Sequence, residues 1–402
     1  MLDSKYFCKI AAALLSTVAA AMTMTSCLKS DGETIPLEFD GDNGTTTEVT
    51  IPADEYATEN PTVDANTLVP NFGNSVTEDD TSDSLIVELY LPGIKYPDDD
   101  TWLYLVGTDG AATSTQNVWV SVDSSPKGCV ALNNSSNEVS DQLDVDFVFL
   151  VDNSSNMNAV GDILADELLE WSDELTSVNI SLQCGCVGYG GSESDIGVDG
   201  AMDLCTAQEM VDYLNTDSVT GTARTKGYGG DYATYLSKIS TISFSNCAGE
   251  CGVEALRYAD AVFTFRQNSC RIFMNFTDEA NQPGGDEQWS VEYVNDQDNW
   301  PAYKGTVHTV FSGNASFSEQ DLAYEWPWKL SEYTGGITYY SDSNYTGVSL
   351  DEIEATNSVK NYYVIMFKLP ASYSDGESHT VQITVLSTDS QVQANKEFYM
   401  EF

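Results

Sequence analysis

Asp152-Asn153-Ser154-Ser155-Asn156 sets a carboxylate, a hydroxyl and an amide oxygen at alternate positions, directly after a long apolar run. Oxygens spaced this way on a tight turn can face one point. Hard cations such as Mg²⁺ take oxygen ligands of that kind and usually keep waters and an open coordination position. The plainer reading is that Asp152 caps the helix that follows, a common duty of Asp and Ser at a helix start. Enzyme chemistry has little support. No Gly-x-Ser-x-Gly elbow, Gly-x-x-x-x-Gly-Lys phosphate loop or His-Glu-x-x-His appears. The only histidines, His308 and His379, lie in strand-like text and read as structural.

The elements that must hold this turn alternate in type. Residues 143–151 (LDVDFVFLV) are nearly all apolar, as in a strand buried on both faces of a parallel sheet. Residues 159–175 carry Ile163, Leu164, Leu168, Leu169 and Trp171 at helical spacing. An apolar run at 178–182, a Gly/Ser/Asp-rich passage and a helix over 253–265 follow. Then come a buried strand over 270–276 (CRIFMNF), a strand at 307–311, a helix over 319–332 and a strand at 336–340. The pattern predicts an α/β fold with a doubly wound, mostly parallel sheet, whose ligands bind outside the carboxyl ends of strands. On either side the text is β-rich: 84–91 (SLIVELYL), 101–107 and 117–123 before it, 362–369, 379–386 and 397–402 after it. Neither flank has enough strands to stand alone. The two are expected to form one small β-sandwich-like unit with the α/β part inserted. Trp326-Pro327-Trp328 and Tyr339-Tyr340 read as packing residues, and the acidic run 282–298 as a mobile loop.

Asp-x-Ser-x-Ser after a buried strand and before a helix resembles the opening motif of the von Willebrand factor type A domain, with Asn156 here in place of the last Ser. The resemblance runs over about 143–340. Thr277-Asp278-Glu279 resembles the family's Thr-Asp-Gly, and Thr334-Gly335-Gly336 its Thr-Gly-Gly before the last strand. It implies a metal-ion-dependent adhesion site, with Asp152, Ser154, Asn156 and Asp278 around one divalent cation, Mg²⁺ foremost and Ca²⁺ or Mn²⁺ as alternatives. Placing Ala255-Leu256 on the family's Ala-Leu puts Glu250 at its remaining ligand position; Gly229-Gly230-Asp231 with Thr234 is the alternative.

Composition and the first residues bear on compartment. The chain has 402 residues, 16 basic against 63 acidic, for a formal charge of −47. Such a surface repels phosphate backbones, so no nucleic-acid partner is expected. Lys5 and Lys9 precede a short apolar stretch, and Met24-Thr25-Ser26-Cys27 resembles a bacterial lipobox with Cys27 as the lipidated residue. Ser30-Asp31-Gly32-Glu33 resembles an acidic export signal. The expected boundaries are a signal peptide at 1–26, an acidic linker at 27–83, β segments at 84–140 and 360–402, and the type A domain at 143–345. Seven cysteines remain after Cys8 and Cys27, and an oxidising compartment predicts structural disulfides rather than zinc. Together these predict a lipoprotein anchored in the outer membrane by its lipid and facing the cell surface, engaging a protein or matrix partner through the cation. The alternative is a metal-independent docking module in an envelope assembly.

Overall fold

The computed structural model describes residues 33–37, 47–63, 74–79, 83–96, 101–108, 115–134, 143–154, 157–190, 197–216, 249–266, 269–296, 298–301, 304–314, 316–320 and 322–402. Cys27, Asn156, Asp231, Thr234 and Cys247 lie outside them.

Two short strands, β1 (Glu33–Leu37) and β2 (Thr47–Ile51), pair antiparallel. The next strands are β3 (Asn74–Asp79), β4 (Ser84–Leu91), β5 (Val118–Val122), β6 (Ser125–Lys127) and β7 (Cys129–Asn133). At the far end of the chain are β14 (Tyr363–Pro370), β15 (His379–Leu386) and β16 (Gln393–Met400). They interleave: one antiparallel sheet runs β3-β4-β14-β7, the other β16-β15-β5-β6. Leu85 of β4 lies opposite Leu369, and Val120 of β5 opposite Ile383. Val87, Leu89, Val118, Val120, Ile365, Phe367, Val381 and Ile383 share one core across the two sheets. The chain's flanks therefore bury each other's apolar faces.

Between them the strands β8 (Leu143–Asp152), β9 (Ile180–Tyr189), β10 (Val198–Cys205), β11 (Cys270–Thr277), β12 (Thr306–Phe311) and β13 (Thr338–Tyr340) form a six-stranded sheet ordered β10-β9-β8-β11-β12-β13. All neighbours are parallel except β10, which runs antiparallel to β9. Among the described residues six helices accompany it: α1 (Asn158–Ser177), α2 (Ala207–Asn215), α3 (Gly252–Val262), α4 (Val291–Asn295), α5 (Lys329–Thr334) and α6 (Glu354–Lys360). The central strand explains the layering. In β8, Val145, Phe147, Phe149 and Val151 face Val160, Leu164, Leu168 and Trp171 of α1, while Val148 and Leu150 face Val253, Leu256 and Ala259 of α3. Alternate side chains of a strand point to opposite faces, so an all-apolar strand requires cover on both. Trp171 meets Phe147 edge to face at 5.0 Å and donates its Nε1–H to Thr356 Oγ1 at 3.1 Å. Lys360 of α6 bridges Glu174 of α1 and Asp351.

Several expectations give way. Residues 47–63, assigned to the acidic linker, pack on the sandwich: Val49 and Ile51 are buried, and Asp54 pairs with the buried Lys127 at 2.9 Å. Residues 101–107 form no strand beyond a bridge from Trp102 to Lys95. The helix expected over 319–332 starts only at Lys329. Pro327 disfavours helical geometry in the residue before it, and Glu325 is held by Asn281 Nδ2 and the Val291 N–H, both at 2.8 Å. The acidic run 282–298 is built around buried Trp289, Val291 and Val294. No disulfide joins the described cysteines; Cys129, Cys184, Cys186, Cys205, Cys251 and Cys270 are all free thiols. All but Cys205 are buried as small apolar residues, in strands of the two cores or, for Cys251, at the residue just before α3.

Candidate metal centre

Asp152 ends β8 opposite Tyr189 on β9 and one residue beyond the last β8–β11 pair, Val151 with Phe276; Thr277 ends β11. The Asp152 side chain is fully buried. Oδ1 accepts the Ser154 N–H at 2.9 Å, and Oδ2 accepts the Thr277 hydroxyl at 3.0 Å. Helix α1 begins at Asn158 with Met157 at its cap position and no side-chain cap bond. Asp152 therefore shapes the turn after the strand and does not cap the helix.

Around this carboxylate the carboxyl ends of three strands bring other oxygens. Ser154 Oγ lies 3.5 Å from Asp278 Oδ1. Asp278 follows β11, and a Cβ at Gly313 would stand 1.8 Å from its carbonyl oxygen, so only glycine lets the loop after β12 lie across it. Glu250, just before α3, packs against the left-handed Gly190 at the end of β9. Gln282 holds it from the other side: its backbone N–H reaches the Glu250 carbonyl at 2.9 Å and its Nε2 reaches Oε2 at 2.7 Å. Burial, then the charges of Glu250 and Asp278, push the Asp152 carboxyl well above its ordinary range, against the pull of the Ser154 N–H and Thr277 hydroxyl. Glu250 is raised too, by burial and by Glu279 and Asp278. Neither Asp152 nor Glu250 has an ion pair among the described residues.

Of the residues named from sequence, the structure brings Asp152, Ser154, Asp278 and Glu250 to this end of the sheet. Asn156 falls outside the described residues, and Cys27 likewise. Thr334-Gly335-Gly336 does not join them: Thr334 Oγ1 accepts the Val307 N–H at 2.8 Å at the other end of β12. Thr277, Tyr189 and Gln282 were assigned no role from sequence. Thr277 was within reach, being part of the quoted motif. Nothing in the text around Gln282 marks it. Among the described residues no three His, Cys, Asp or Glu side chains lie close enough together to hold an ion. A cation here would lean on the Ser154 hydroxyl and on water, with carboxylates supplying charge, which is a donor set hard cations accept.

Beside the centre, aromatic rings gather at the ends of β12 and β13. Trp326 stacks on Trp328 at 5.6 Å, and Trp328 meets Phe311 at 5.2 Å and Tyr340 at 6.1 Å. No helix among the described residues is long and apolar enough to cross a membrane.

No protein-family profile matches the chain. No curated protein matches it in sequence. Among solved structures it is similar to the pilus adhesin SpaC from Lactobacillus rhamnosus GG, at 9% identity and a TM-score of 0.33, over 82% of this chain and 47% of that one. It is also similar to a mutant of the PilB minor pilin from Streptococcus sanguinis, at 10% identity and a TM-score of 0.28, over 82% of this chain and 83% of that one. The chain thus spans about half the length of SpaC. At these identities and TM-scores neither likeness assigns this chain a role.

Proposed function

We propose that the chain is a bacterial cell-surface lipoprotein whose α/β part is a von Willebrand factor type A domain that binds a protein or matrix partner through a divalent cation. Cys27 carries the lipid. Asp152, Ser154, Asn156, Asp278 and Glu250 surround the ion, Mg²⁺ foremost, and a carboxylate from the partner takes its open position. One observation carries this reading: a fully buried carboxylate, Asp152, sits with Asp278 and Glu250 at the carboxyl ends of parallel strands and has no ion pair among the described residues. A buried charge of this kind is expensive unless a counter-charge arrives. Crystals soaked in Mn²⁺ should give an anomalous peak beside Ser154 and Asp152. No peak at saturating Mn²⁺ would end the metal reading.

A second reading, metal-independent docking in an envelope assembly, is favoured by the absence of three converging acidic or imidazole ligands among the described residues. It predicts partner capture that survives chelation. The first predicts capture that chelation abolishes and Mg²⁺ restores.

A further inference from the structure

The aromatic group beside the centre is more open than packing residues need be. Pro327, between the two tryptophans, is buried, and its carbonyl accepts the Thr309 hydroxyl of β12 at 3.5 Å. Trp326 and Trp328 are thereby tied to that strand. Tyr340, in parallel register with Phe311, adds a ring from the neighbouring strand end. Phe311 is 1% exposed and belongs to the core. Trp326 and Trp328 are half-buried, and Tyr340 is 64% exposed. The sequence reads these three as packing residues, yet the structure leaves much of their surface in water.

The surface is ordered by its own contacts. Trp326 and Trp328 lie within 17° of parallel, and Phe317 meets Trp328 at 5.9 Å. A ligand on these rings would immobilise little that is not already held. The polar tips differ in availability. Trp326 donates its Nε1–H to the Phe317 carbonyl at 3.4 Å, whereas Trp328 Nε1–H and the Tyr340 hydroxyl make no hydrogen bond among the described residues. Asp342, Ser343 and Asn344 follow Tyr340 and are exposed. Apolar surface rimmed by polar groups is the usual form of a recognition site.

Charge selects among ligands. At −47 the chain repels acidic polymers. A cationic partner would meet a cation already in place: Lys329 Nζ lies 5.6 Å over the Trp326 ring and pairs with Glu319 at 2.9 Å. A neutral ligand with an apolar face and hydroxyls along its edge suits what is left. We propose that Trp328 and Tyr340 form a platform for a neutral hexopyranose of a glycan. Its C–H face lies on the rings, and its hydroxyls meet Trp328 Nε1–H, the Tyr340 hydroxyl and the polar rim. The platform adjoins the candidate cation centre but requires no cation.

Saturation-transfer NMR and calorimetry on the full chain, with methyl β-D-glucoside and methyl β-D-galactoside as probes, test this. At least one glycoside should bind with a Kd of about 1–10 mM and receive saturation chiefly at its ring C–H protons. Sorbitol, a polyol with no ring face, should receive none. Methyl β-D-glucuronide should bind at least about tenfold more weakly than the neutral probe. Tyr340→Ala should weaken the glycoside at least about tenfold, and circular dichroism will verify that this exposed variant folds. Trp328→Phe keeps a ring but loses the N–H, and should weaken binding by a smaller factor. Chelation and Asp152→Ala should leave the affinity unchanged. No saturation of either glycoside at about 50 mM, equal transfer to sorbitol, or full binding by Tyr340→Ala would overturn the proposal. So would tighter binding of argininamide than of the glycosides, which would make this a docking site for cations. Loss of glycoside binding on chelation would place the sugar on the ion instead of the rings, and would overturn the platform while supporting the metal reading.

Discussion

The two ends of β8 carry two aspartates that are equally buried and differently served. Near the amino end, Asp146 accepts the Arg266 Nε–H at 2.6 Å, the Arg266 backbone N–H at 2.8 Å and the Ser269 hydroxyl at 2.7 Å. Arg266 also reaches Asp144 Oδ1 at 2.6 Å and the carbonyls of Val145 and Ser181. At the carboxyl end, Asp152 has a backbone N–H and a hydroxyl but no cationic partner among the described residues, and faces two more acids. One strand thus holds a closed ion pair and an open charge. The first is complete within the chain. The second is left open to an added cation, and the difference separates a structural buried acid from a candidate binding acid on the same strand.

The comparison breaks most visibly at its closed end. Arg266→Met leaves Asp146 buried without a counter-charge, which costs about 3–5 kcal/mol in urea unfolding. Adding Asp146→Asn should recover more than half of that. If the double variant is no better than the single, Arg266 acts through packing and the contrast with Asp152 loses its electrostatic basis.

A third buried charge sharpens the rule from the other sign. Lys396 of β16 points into the sandwich core, 4% exposed, with no ion pair among the described residues, and burial lowers its pKa to about 8. The unfolded chain binds the proton more tightly, so stability should rise with pH from about 8 toward 10.5. At pH 7, Lys396→Met should stabilise by up to about 3 kcal/mol, the free-energy equivalent of that displacement. The gain should shrink as pH climbs through the same window. A pH-independent gain would mean that lost packing strain, rather than charge burial, is being measured.

At the open end, Mg²⁺ or Mn²⁺ at a hundredfold excess over Kd should stabilise the wild type by about 2.7 kcal/mol. Asp152→Ala should lose most of that at matched ionic strength while keeping its strand and helix content. An equal shift in both proteins would assign the effect to the acidic surface in general.

The smallest effect belongs to an exposed counterpart. His379 lies between Asp123 Oδ2 at 2.8 Å and Asp375 Oδ1 at 3.2 Å, and these raise its pKa. Its contribution is fully present below the unfolded value of about 6.5 and fades as pH rises through the folded one. Exposed pairs are worth under about 1 kcal/mol, so His379→Gln should flatten a shallow slope in melting temperature above pH 6.5 and do little else.

Local text reported local structure well where apolar pattern and backbone preference agree. The run LDVDFVFLV is strand β8, and the spacing of Leu164, Leu168 and Trp171 is that of α1. It failed where one residue overrules its neighbours: Pro327 stops a helix that amphipathic spacing suggests. Helix α2 went unread in a Gly/Ser/Asp-rich passage although Thr206 and Glu209 form a full capping box there. The cysteines misled because composition and compartment argue for bridges, while pairing needs sulfurs brought together in space. The centre was half legible. Asp152 and Ser154 stand in one turn, whereas Gln282, which orients Glu250, carries no pattern of its own.

By itself the sequence determined the period of each long element, the acidic surface and the alternation of strand and helix, because these depend on neighbours a few residues away. Tertiary structure alone decided which acids are answered. Arg266 lies 120 residues along the chain from Asp146, and Asp278 lies 124 from Ser154. Whether a buried carboxylate meets a guanidinium or another carboxylate depends on which strand ends the sheet order places side by side, and sheet order is a property of the whole packed core.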